Sequence, residues 1–365
     1  MRLIDILHLL KCFMLKIDKG PAYFIYFVTG KCPLRCQHCF YYLRDCSNNE
    51  LNFGEIEEFS STMGKISFLL LTGGEPFSRN DFEKIPGIFY RNTKVRNIAI
   101  PTNGFLTNEV LQKTKKILKD CSEAAVTVNV SLDGLGQLHD KIRQHKGAFA
   151  AAVQTCRELV ALKSAFKNLD VGVCTVISSL NENRLEEIYK FVSNDLGIRI
   201  WTPFLTRGCP RNPAMIQVDM ELYKRIADFM KSEITQKTYQ GYTRFFLSQW
   251  NTAKNTLRRD IIYRIKTEKK KIGTCYAGQL IGVMLPNGRV NPCELREETF
   301  GNIRNFAYNF TLLWRSKEAK AIRKKISSEK CFCTHECFLT MNLFFNPKFL
   351  LRLVRERLRL AGLWK

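Results

Sequence analysis

The strongest constraint on the fold is an alternation of strand-like and helix-like segments, repeated six times between residues 21 and 205. The strand-like segments are short and mostly rich in β-branched or aromatic residues; they are 23–29, 68–71, 97–101, 125–131, 170–176 and 198–204. Helix-length segments such as 108–121 and 149–166 have apolar residues at 3.6-residue periodicity. Repeated strand–helix units predict an α/β fold with a parallel sheet. Six units fit an incomplete barrel or an open doubly wound sheet.

Composition limits the rest of the chain. The 365 residues are 45% hydrophobic, which excludes a disordered protein, and no apolar run is long enough to span a bilayer. We predict five parts: an N-terminal helix (1–20), the alternating region (21–205), a helical basic linker (206–272), a cysteine-rich domain (273–340) and a basic amphipathic helix (341–365). A net charge of +23 favours an anionic partner.

Three of the 14 cysteines lie close together directly after the first strand. Their spacing is Cys32-x3-Cys36-x2-Cys39, and three thiolates on one tight loop can hold three irons of a [4Fe–4S] cluster. The fourth iron is then open to a substrate or cofactor. The alternative is a zinc knuckle with His38 as the fourth ligand. The carboxyl end of a parallel sheet favours an active site.

The loops after the next three strands carry further motifs: Gly73-Gly74-Glu75, Asn103-Gly104, and Ser131-Leu132-Asp133 followed by Arg143. Together with the cysteine loop and the aromatic Phe40, these motifs resemble the radical S-adenosylmethionine (SAM) superfamily over residues 21–205. The resemblance implies a partial (β/α)6 TIM-like barrel. It also implies SAM-binding residues, namely Phe40, Gly73, Gly74, Glu75, Asn103, Ser131 and Arg143. Glu75 would accept hydrogen bonds from an ammonium group. Asp133 would have a substrate role, or would only cap a turn.

The resemblance also implies a mechanism. SAM binds the open iron, the reduced cluster cleaves it to methionine and a 5′-deoxyadenosyl radical, and that radical abstracts a hydrogen atom from the substrate. The protein contributes positioning, exclusion of water and redox tuning. An electron donor such as flavodoxin or ferredoxin is required.

Five further cysteines lie near the C-terminus. They resemble the SPASM and twitch extensions of radical SAM enzymes and imply one auxiliary [4Fe–4S] cluster, with zinc as the alternative. The implied ligands are Cys275, Cys293, Cys337 and either Cys333 or Cys331. Glu294 lies where sulfatase-maturing relatives carry a catalytic aspartate and would take a proton; alternatively, it is a surface glutamate. The six scattered cysteines are predicted to be small buried hydrophobes, namely Cys12, Cys46, Cys121, Cys156, Cys174 and Cys209.

Segments 251–272, 315–330 and 348–365 carry most of the excess positive charge. In the last segment, Leu350, Val354, Leu358 and Ala361 form one helix face, opposite Arg352, Arg355 and Arg359. Such a helix either lies in an anionic membrane interface or docks on the barrel with its basic face in solvent. The basic segments lack interleaved aromatics, which disfavours nucleic acid.

These features predict a radical SAM enzyme that performs a two-electron oxidation. We place a small molecule first as substrate, namely a sugar, cyclitol or lipid-linked glycan intermediate, because the cysteines for a second auxiliary cluster are missing. A ribosomally made peptide or protein is the alternative, and a non-catalytic iron–sulfur or zinc scaffold that binds membrane or RNA is the alternative of another class. The clustered thiols and the lack of a convincing signal peptide predict a cytoplasmic location, with peripheral contact at the inner face of the membrane as an option.

Overall fold

The computed structural model describes residues 20–43, 49–235, 248–329 and 331–360. Three predicted features lie wholly or partly outside these residues. They are the N-terminal helix up to residue 19, Cys12 and Cys46, and the last five residues of the C-terminal helix.

Six parallel strands form the first part of the sheet. They are β1 Tyr23–Phe27, β2 Phe68–Thr72, β3 Asn97–Thr102, β4 Ala125–Ser131, β5 Leu169–Ile177 and β6 Ile200–Leu205, which confirms all six predicted strands. Each strand pairs with the next one along the chain. Right-handed crossovers that always proceed in one direction place the connecting helices on one face of the sheet. This is the winding of a barrel and not of a doubly wound sheet, so the partial (β/α)6 barrel is confirmed.

The helices of this region are α1 Phe53–Ser61, α2 Ile85–Thr93, α3 Thr107–Asp120, α4 Gln137–Arg143, α5 Ala148–Leu162 and α6 Leu185–Lys190. Helix α1 begins at a capping box, because Asn52 Oδ1 accepts from Glu55 N (3.0 Å) and Glu55 Oε2 accepts from Asn52 N (2.8 Å). Single 3-10 turns lie at Tyr41–Leu43, Pro76–Ser78, Phe82–Lys84, Pro213–Ile216 and Ile303–Phe306, and a π turn at Phe191–Asp195.

Strand β1 contributes to two separate apolar cores because successive side chains point to opposite faces. Phe24 and Tyr26 are fully buried against the helices, and the ring centroids of Phe24 and Phe89 lie 5.9 Å apart. Ile25 and Phe27 point the other way, into a cluster formed largely by residues of the C-terminal region. The strand therefore connects the barrel core to the cysteine-rich part of the chain.

The C-terminal strands extend the same sheet. They are β7 Ile281–Met284, β8 Arg289–Asn291 and β9 Gly301–Asn302. Strand β7 runs parallel to β1, and β8 and β9 add antiparallel pairs. Gly288 in the turn between β7 and β8 has a φ of +86°, which glycine adopts without steric cost. The short strands predicted around the Pro-Asn-Gly turn are confirmed, and the nine described strands form one sheet.

The remaining helices are α7 Met220–Thr235, α8 Ser248–Glu268, α9 Phe310–Trp314, α10 Lys317–Ser328, α11 Glu336–Phe345 and α12 Pro347–Leu360. Helix α12 packs on α8 through the buried side chains of Phe349 and Leu353. The predicted apolar face is not the docking face, because Leu350 and Val354 are exposed. None of the described helices combines the length and apolar character needed to cross a bilayer.

Candidate active site and the two cysteine groups

The first cysteine group, Cys32, Cys36 and Cys39, lies on the loop that follows β1 at the carboxyl edge of the sheet. Cys36 is buried, Cys39 is half-buried and Cys32 is exposed. Gln37 N in this loop donates to Ile142 O at 2.9 Å. The segment after β4 therefore holds the loop in place through the backbone.

Two side-chain donors point at these thiols. Asn103 Nδ2 lies 3.8 Å from Cys32 Sγ, and Arg143 Nη1 lies 3.5 Å from Cys36 Sγ. Arg143 Nε is buried and has no hydrogen-bond partner among the described residues. Burial raises the pKa of Cys36, and a bound cation would favour its thiolate form. Three thiols with two polar donors fit an anionic iron–sulfur cluster, and the spare guanidinium donor fits a carboxylate ligand.

The glycine pair after β2 lets two loops approach each other closely. A Cβ on Gly73 would collide with the backbone of Thr29, and one on Gly74 would collide with that of Lys31. Gly74 N donates to Thr29 O, and Glu75 N donates to Lys31 O, both at 2.8 Å. The described contacts of these glycines are thus with the cysteine loop, which they hold against the end of β2.

The carboxylate of Glu75 has protein partners. It is 1% exposed and accepts from Thr102 Oγ1 (2.8 Å), Asn103 N (2.7 Å) and Phe77 N (3.2 Å). Burial raises its pKa to about 7. These bonds connect the ends of β2 and β3 and hold Asn103 beside Cys32. The predicted contact of Glu75 with an ammonium group stays a prediction.

Asp133, just after β4, is the partner of Arg143. Its Oδ2 lies 2.6 Å from Arg143 Nη2, and its Oδ1 accepts from Val176 N at 2.8 Å. Burial opposes ionisation, but Arg143 keeps the pKa of Asp133 below its usual value. This geometry fits a structural role, because the carboxylate fixes Arg143 beside the first cysteine group. Ser131 is half-buried at the end of β4.

His38, the fourth ligand of the zinc alternative, lies beside Asp133, with 3.9 Å between His38 Nδ1 and Asp133 Oδ2. Burial lowers its pKa to about 4. In the described part of the chain, no three His, Cys, Asp or Glu side chains are arranged to hold a single metal ion. A [4Fe–4S] cluster instead takes one thiolate per iron.

The second cysteine group comprises Cys275, Cys293, Cys331, Cys333 and Cys337. Burial, and then the thiols of Cys333 and Cys275, raise the pKa of Cys293. Burial and, to a smaller extent, Cys331 raise the pKa of Cys275. Four thiols of the group therefore neighbour one another, and this donor set fits a second iron–sulfur cluster.

Cys337 has different neighbours. Tyr23 Oη donates to its Sγ at 3.4 Å. Burial opposes ionisation of Cys337, but a hydrogen bond from His335 and the positive charge of His335 lower the pKa of Cys337. The structure thus places Cys331 and Cys333 with Cys275, while Cys337 faces charged side chains. The exact ligand set stays a prediction.

A network of four charged side chains, three of them buried and one partly buried, lies between the two cysteine groups. We call it the Arg207 network; it comprises Arg207, Glu294, His335 and Glu336. Arg207 donates to Glu294 Oε2 at 3.3 Å and to Glu336 Oε2 at 3.2 Å. Its guanidinium also lies 5.4 Å from the ring centroid of Phe40. The network therefore connects the residue after the first cysteine group to the residue after Cys293.

Glu294 is 3% exposed, so the surface-glutamate alternative is wrong. His335 Nε2 lies 2.8 Å from its Oε2. Burial and Arg207 oppose protonation of His335, but Glu294 and local hydrogen bonds raise the pKa of His335 to about 9. Glu294 thus lies between the Arg207 guanidinium and the His335 imidazole, and a carboxylate in this position can accept a proton.

Sequence reasoning missed Arg207, His335 and Glu336. The one available signal was the position of Arg207 directly after β6, at the same edge as the other strand-end residues. The following residues cross the cysteine loop, since Arg211 N donates to Cys39 O at 3.0 Å.

The scattered cysteines divide into two classes. Cys121 and Cys156 are fully buried, as predicted. The prediction is wrong for Cys209, which is exposed on the segment that crosses the cysteine loop, and Cys174 is half-buried at β5.

Residues 26–192 match the family described as the Radical SAM superfamily. They include the first cysteine group and the strand-end motifs of β2, β3 and β4. This part of the chain is therefore a radical SAM domain. Members of this superfamily use a [4Fe–4S] cluster and SAM, and the first cysteine group fits such a cluster.

Among its relatives is the antilisterial bacteriocin subtilosin biosynthesis protein AlbA of Bacillus subtilis, 27% identical over 330 residues, which cover 85% of this chain and 64% of AlbA. The Fe-coproporphyrin III synthase of Methanosarcina barkeri is 29% identical over 214 residues, 56% of this chain and 49% of the synthase. The chain thus spans about half to two thirds of these relatives.

Among solved structures, Streptococcus suis SuiB bound to its precursor peptide SuiA has the same fold. Its TM-score is 0.59 at 14% sequence identity, and the match covers 87% of this chain and 70% of SuiB.

Proposed function

We propose that this enzyme modifies a peptide or protein by removing a hydrogen atom and then a further electron and proton from the same substrate. The observation that carries this substrate class is the match to AlbA, a bacteriocin biosynthesis protein, over 85% of the chain. The barrel alone cannot account for a match of that length. The fold of SuiB, which binds a precursor peptide, supports the same class.

This proposal reverses the order of preference drawn from the sequence, which placed a sugar, cyclitol or glycan first. The absence of the cysteines for a second auxiliary cluster favours a single auxiliary cluster, but it carries no information about the substrate. AlbA, a bacteriocin biosynthesis protein, aligns over 85% of this chain, whereas the match to the coproporphyrin synthase covers 56% of it.

The first cysteine group would hold three irons of the SAM-binding cluster. When bound, the clusters and SAM supply a hydrogen-abstracting radical and an electron acceptor. The free Nε donor of Arg143 would bind the SAM carboxylate, with Ser131 nearby at the end of β4. Asn103 would stabilise Cys32 as a thiolate. Asp133 and Glu75 would keep these two donors in position.

Glu294 would take up the proton that leaves the substrate during its oxidation. Its support is burial between Arg207 and His335 beside Cys293, a ligand proposed for the auxiliary cluster. The substrate thus loses one hydrogen atom, one electron and one proton. The remaining proposed ligands are Cys275, Cys337 and Cys333 or Cys331.

The test uses the full chain, reconstituted and reduced without oxygen. We expect about eight irons per chain and release of 5′-deoxyadenosine from SAM. We then expect peptides encoded beside the gene to stimulate this release and to lose two hydrogen masses. Stimulation by sugars or cyclitols alone would overturn the peptide proposal, and zinc without SAM cleavage would contradict the assigned chemistry.

We also propose flavodoxin or ferredoxin as the electron donor and a reducing, cytoplasmic location. The described cysteines are all free thiols, which supports a reducing compartment. Reduction of the cluster by flavodoxin, measured as 5′-deoxyadenosine released per added electron, tests the donor. Activity with dithionite but none with either protein would contradict it.

A further inference from the structure

Helix α12 has two apolar faces, and only one of them is covered. Phe349 and Leu353 are buried against α8. Leu350, Leu351 and Val354 are 43%, 69% and 41% exposed. They are three of the six large apolar side chains that the described residues leave exposed, and they lie within five positions of one helix. Scattered exposed apolar residues need no explanation, but a cluster on one helix face does.

Unpaired positive charge borders this exposed face. Arg352 and Arg355 are exposed, and neither has an ion-pair partner among the described residues. The one acidic residue of the helix, Glu356, is paired with Arg359 at 2.8 Å and lies 4.0 Å from Lys231. At 3.6 residues per turn, the helix has three sectors: a docked apolar one, an exposed apolar one and a basic one.

We propose that the exposed apolar sector and the adjoining arginines form a docking surface for an anionic phospholipid membrane. A helix lying in a bilayer interface places its apolar side chains at the boundary between headgroups and acyl chains. Its arginines extend toward the lipid phosphates, since a long apolar stem carries the charge to the polar layer. The buried sector keeps the helix attached to the enzyme, so the whole molecule binds peripherally.

A second copy of the chain fits this surface less well. A symmetric contact would bring Arg352 and Arg355 of both copies together in a chain whose net charge is already +23. Three side chains also provide far less than the roughly 800 Å² per partner that a stable protein interface buries. Lipid headgroups supply the opposite charge that these arginines lack.

This docking surface is independent of the proposed substrate, because it involves no residue of either cysteine group. It would hold the enzyme at a membrane whether the substrate is a peptide or a glycan. Failure of the peptide test would leave the lipid proposal unaffected, and the reverse also holds.

The experiment is co-sedimentation of the full, cluster-loaded chain with phosphatidylcholine vesicles, with and without 30% phosphatidylglycerol. We expect binding to the anionic vesicles that weakens with added salt. The variant Leu350→Ser, Leu351→Ser, Val354→Ser keeps every charge and should bind at least tenfold more weakly. Arg352→Gln with Arg355→Gln keeps the apolar sector and should bind about 30-fold more weakly, since each charge near an anionic surface contributes about one factor of five.

The matched controls are Lys317→Gln with Lys320→Gln, which removes two exposed charges from α10, and Leu312→Ser, which removes an exposed leucine from α9. Both should bind like the unmodified chain. Equal losses in the controls would overturn the proposal, because binding would then reflect total charge or exposed apolar surface in general. Absence of vesicle binding would also overturn it. So would a dimer of the unmodified chain that is lost only in the serine variant. Unchanged SAM cleavage verifies that each variant is folded.

Discussion

The two cysteine groups are held in place in different ways. The first lies on one loop, and backbone hydrogen bonds and close glycine contacts fix it to the ends of neighbouring strands. The second is assembled from the segment before β7, the segment after β8 and the segment that leads into the first turn of α11. Beside it, side-chain ion pairs connect the last two of these segments to each other and to Arg207 after β6.

This difference separates two kinds of dependence. A loop held largely by backbone atoms tolerates most side-chain changes other than those of its ligands and of the Arg143–Asp133 ion pair. The stability of a buried ion-pair network depends on every member, because removal of one partner leaves an uncompensated buried charge. The predictions below test this distinction, from the largest expected effect to the smallest.

Replacing a ligand in each group should separate SAM cleavage from substrate oxidation. We expect Cys36→Ala to abolish 5′-deoxyadenosine release and to halve the iron content. Cys293→Ala should also lose about half of the iron but keep SAM cleavage, and it should form little oxidised product. Cys209→Ala, an exposed cysteine outside both groups, is the control. If both ligand variants lose SAM cleavage equally, the two groups do not act separately.

Within the Arg207 network, Glu294 and Glu336 should differ in function although both pair with Arg207. We expect Glu294→Gln to lower product formation by about 10²- to 10⁴-fold, which is the typical contribution of a positioned proton acceptor. SAM cleavage should continue without product. Glu336→Gln should lose less than tenfold, so equal losses would assign Glu294 a structural role.

At the first group, Arg143→Gln should leave Asp133 as an unpaired buried carboxylate. We expect the free energy of unfolding to fall by about 3–5 kcal/mol. The double variant Arg143→Gln, Asp133→Asn should regain most of this stability and still fail to bind SAM. Chemical denaturation and equilibrium binding measure the two properties. Recovery of SAM binding in the double variant would show that Arg143 does not bind SAM.

The smallest effect concerns the contact between α1 and the C-terminal region. Arg304 Nε donates to Glu55 Oε1 at 2.6 Å and lowers the pKa of Glu55 to about 2. A carboxylate with a depressed pKa stabilises the fold above its unfolded pKa near 4.5 and loses this contribution as the pH falls toward 2. Glu55→Gln should therefore cost about 0.5–1 kcal/mol at pH 7 and progressively less below pH 5.

The control for this pair is Glu57→Gln, an exposed residue on the same helix with no ion-pair partner among the described residues. Its free energy of unfolding should match that of the unmodified chain at each pH. A Glu55→Gln deficit that stays constant from pH 7 to pH 4 would rule out the ion pair as its cause.

The strands and the first cysteine group could be predicted because one rule governs them all. Parallel strands end at the same edge of a sheet, so residues placed directly after each strand must come together. Asn103 directly follows β3 and obeys this rule, whereas Arg143 was predicted from the resemblance to the radical SAM superfamily. The partners of Glu75 were not predicted, because a carboxylate next to two glycines suggests a ligand-binding role as readily as a hydrogen bond to Thr102.

The Arg207 network could not be predicted from the sequence. Arg207 lies 87 positions before Glu294 and 129 positions before Glu336, and no periodicity connects these residues. The docking face of α12 could not be predicted either. Leu350 and Phe349 are both apolar, and only the packing of the helix decides which of them is covered. Sequence patterns describe a helix in isolation, whereas the choice between two apolar faces depends on the neighbour.

The position of β1 between β2 and β7 has a consequence for dissecting this protein. A fragment that ends before β7 would uncover a row of unpaired backbone donors and acceptors along β1. It would also expose Ile25 and Phe27, whose cluster is largely supplied by the lost residues. Such an edge is a template for pairing with other chains, so the catalytic barrel expressed alone would aggregate. The barrel and the cysteine-rich region are therefore not interchangeable modules, and chimeras with related enzymes must exchange them together.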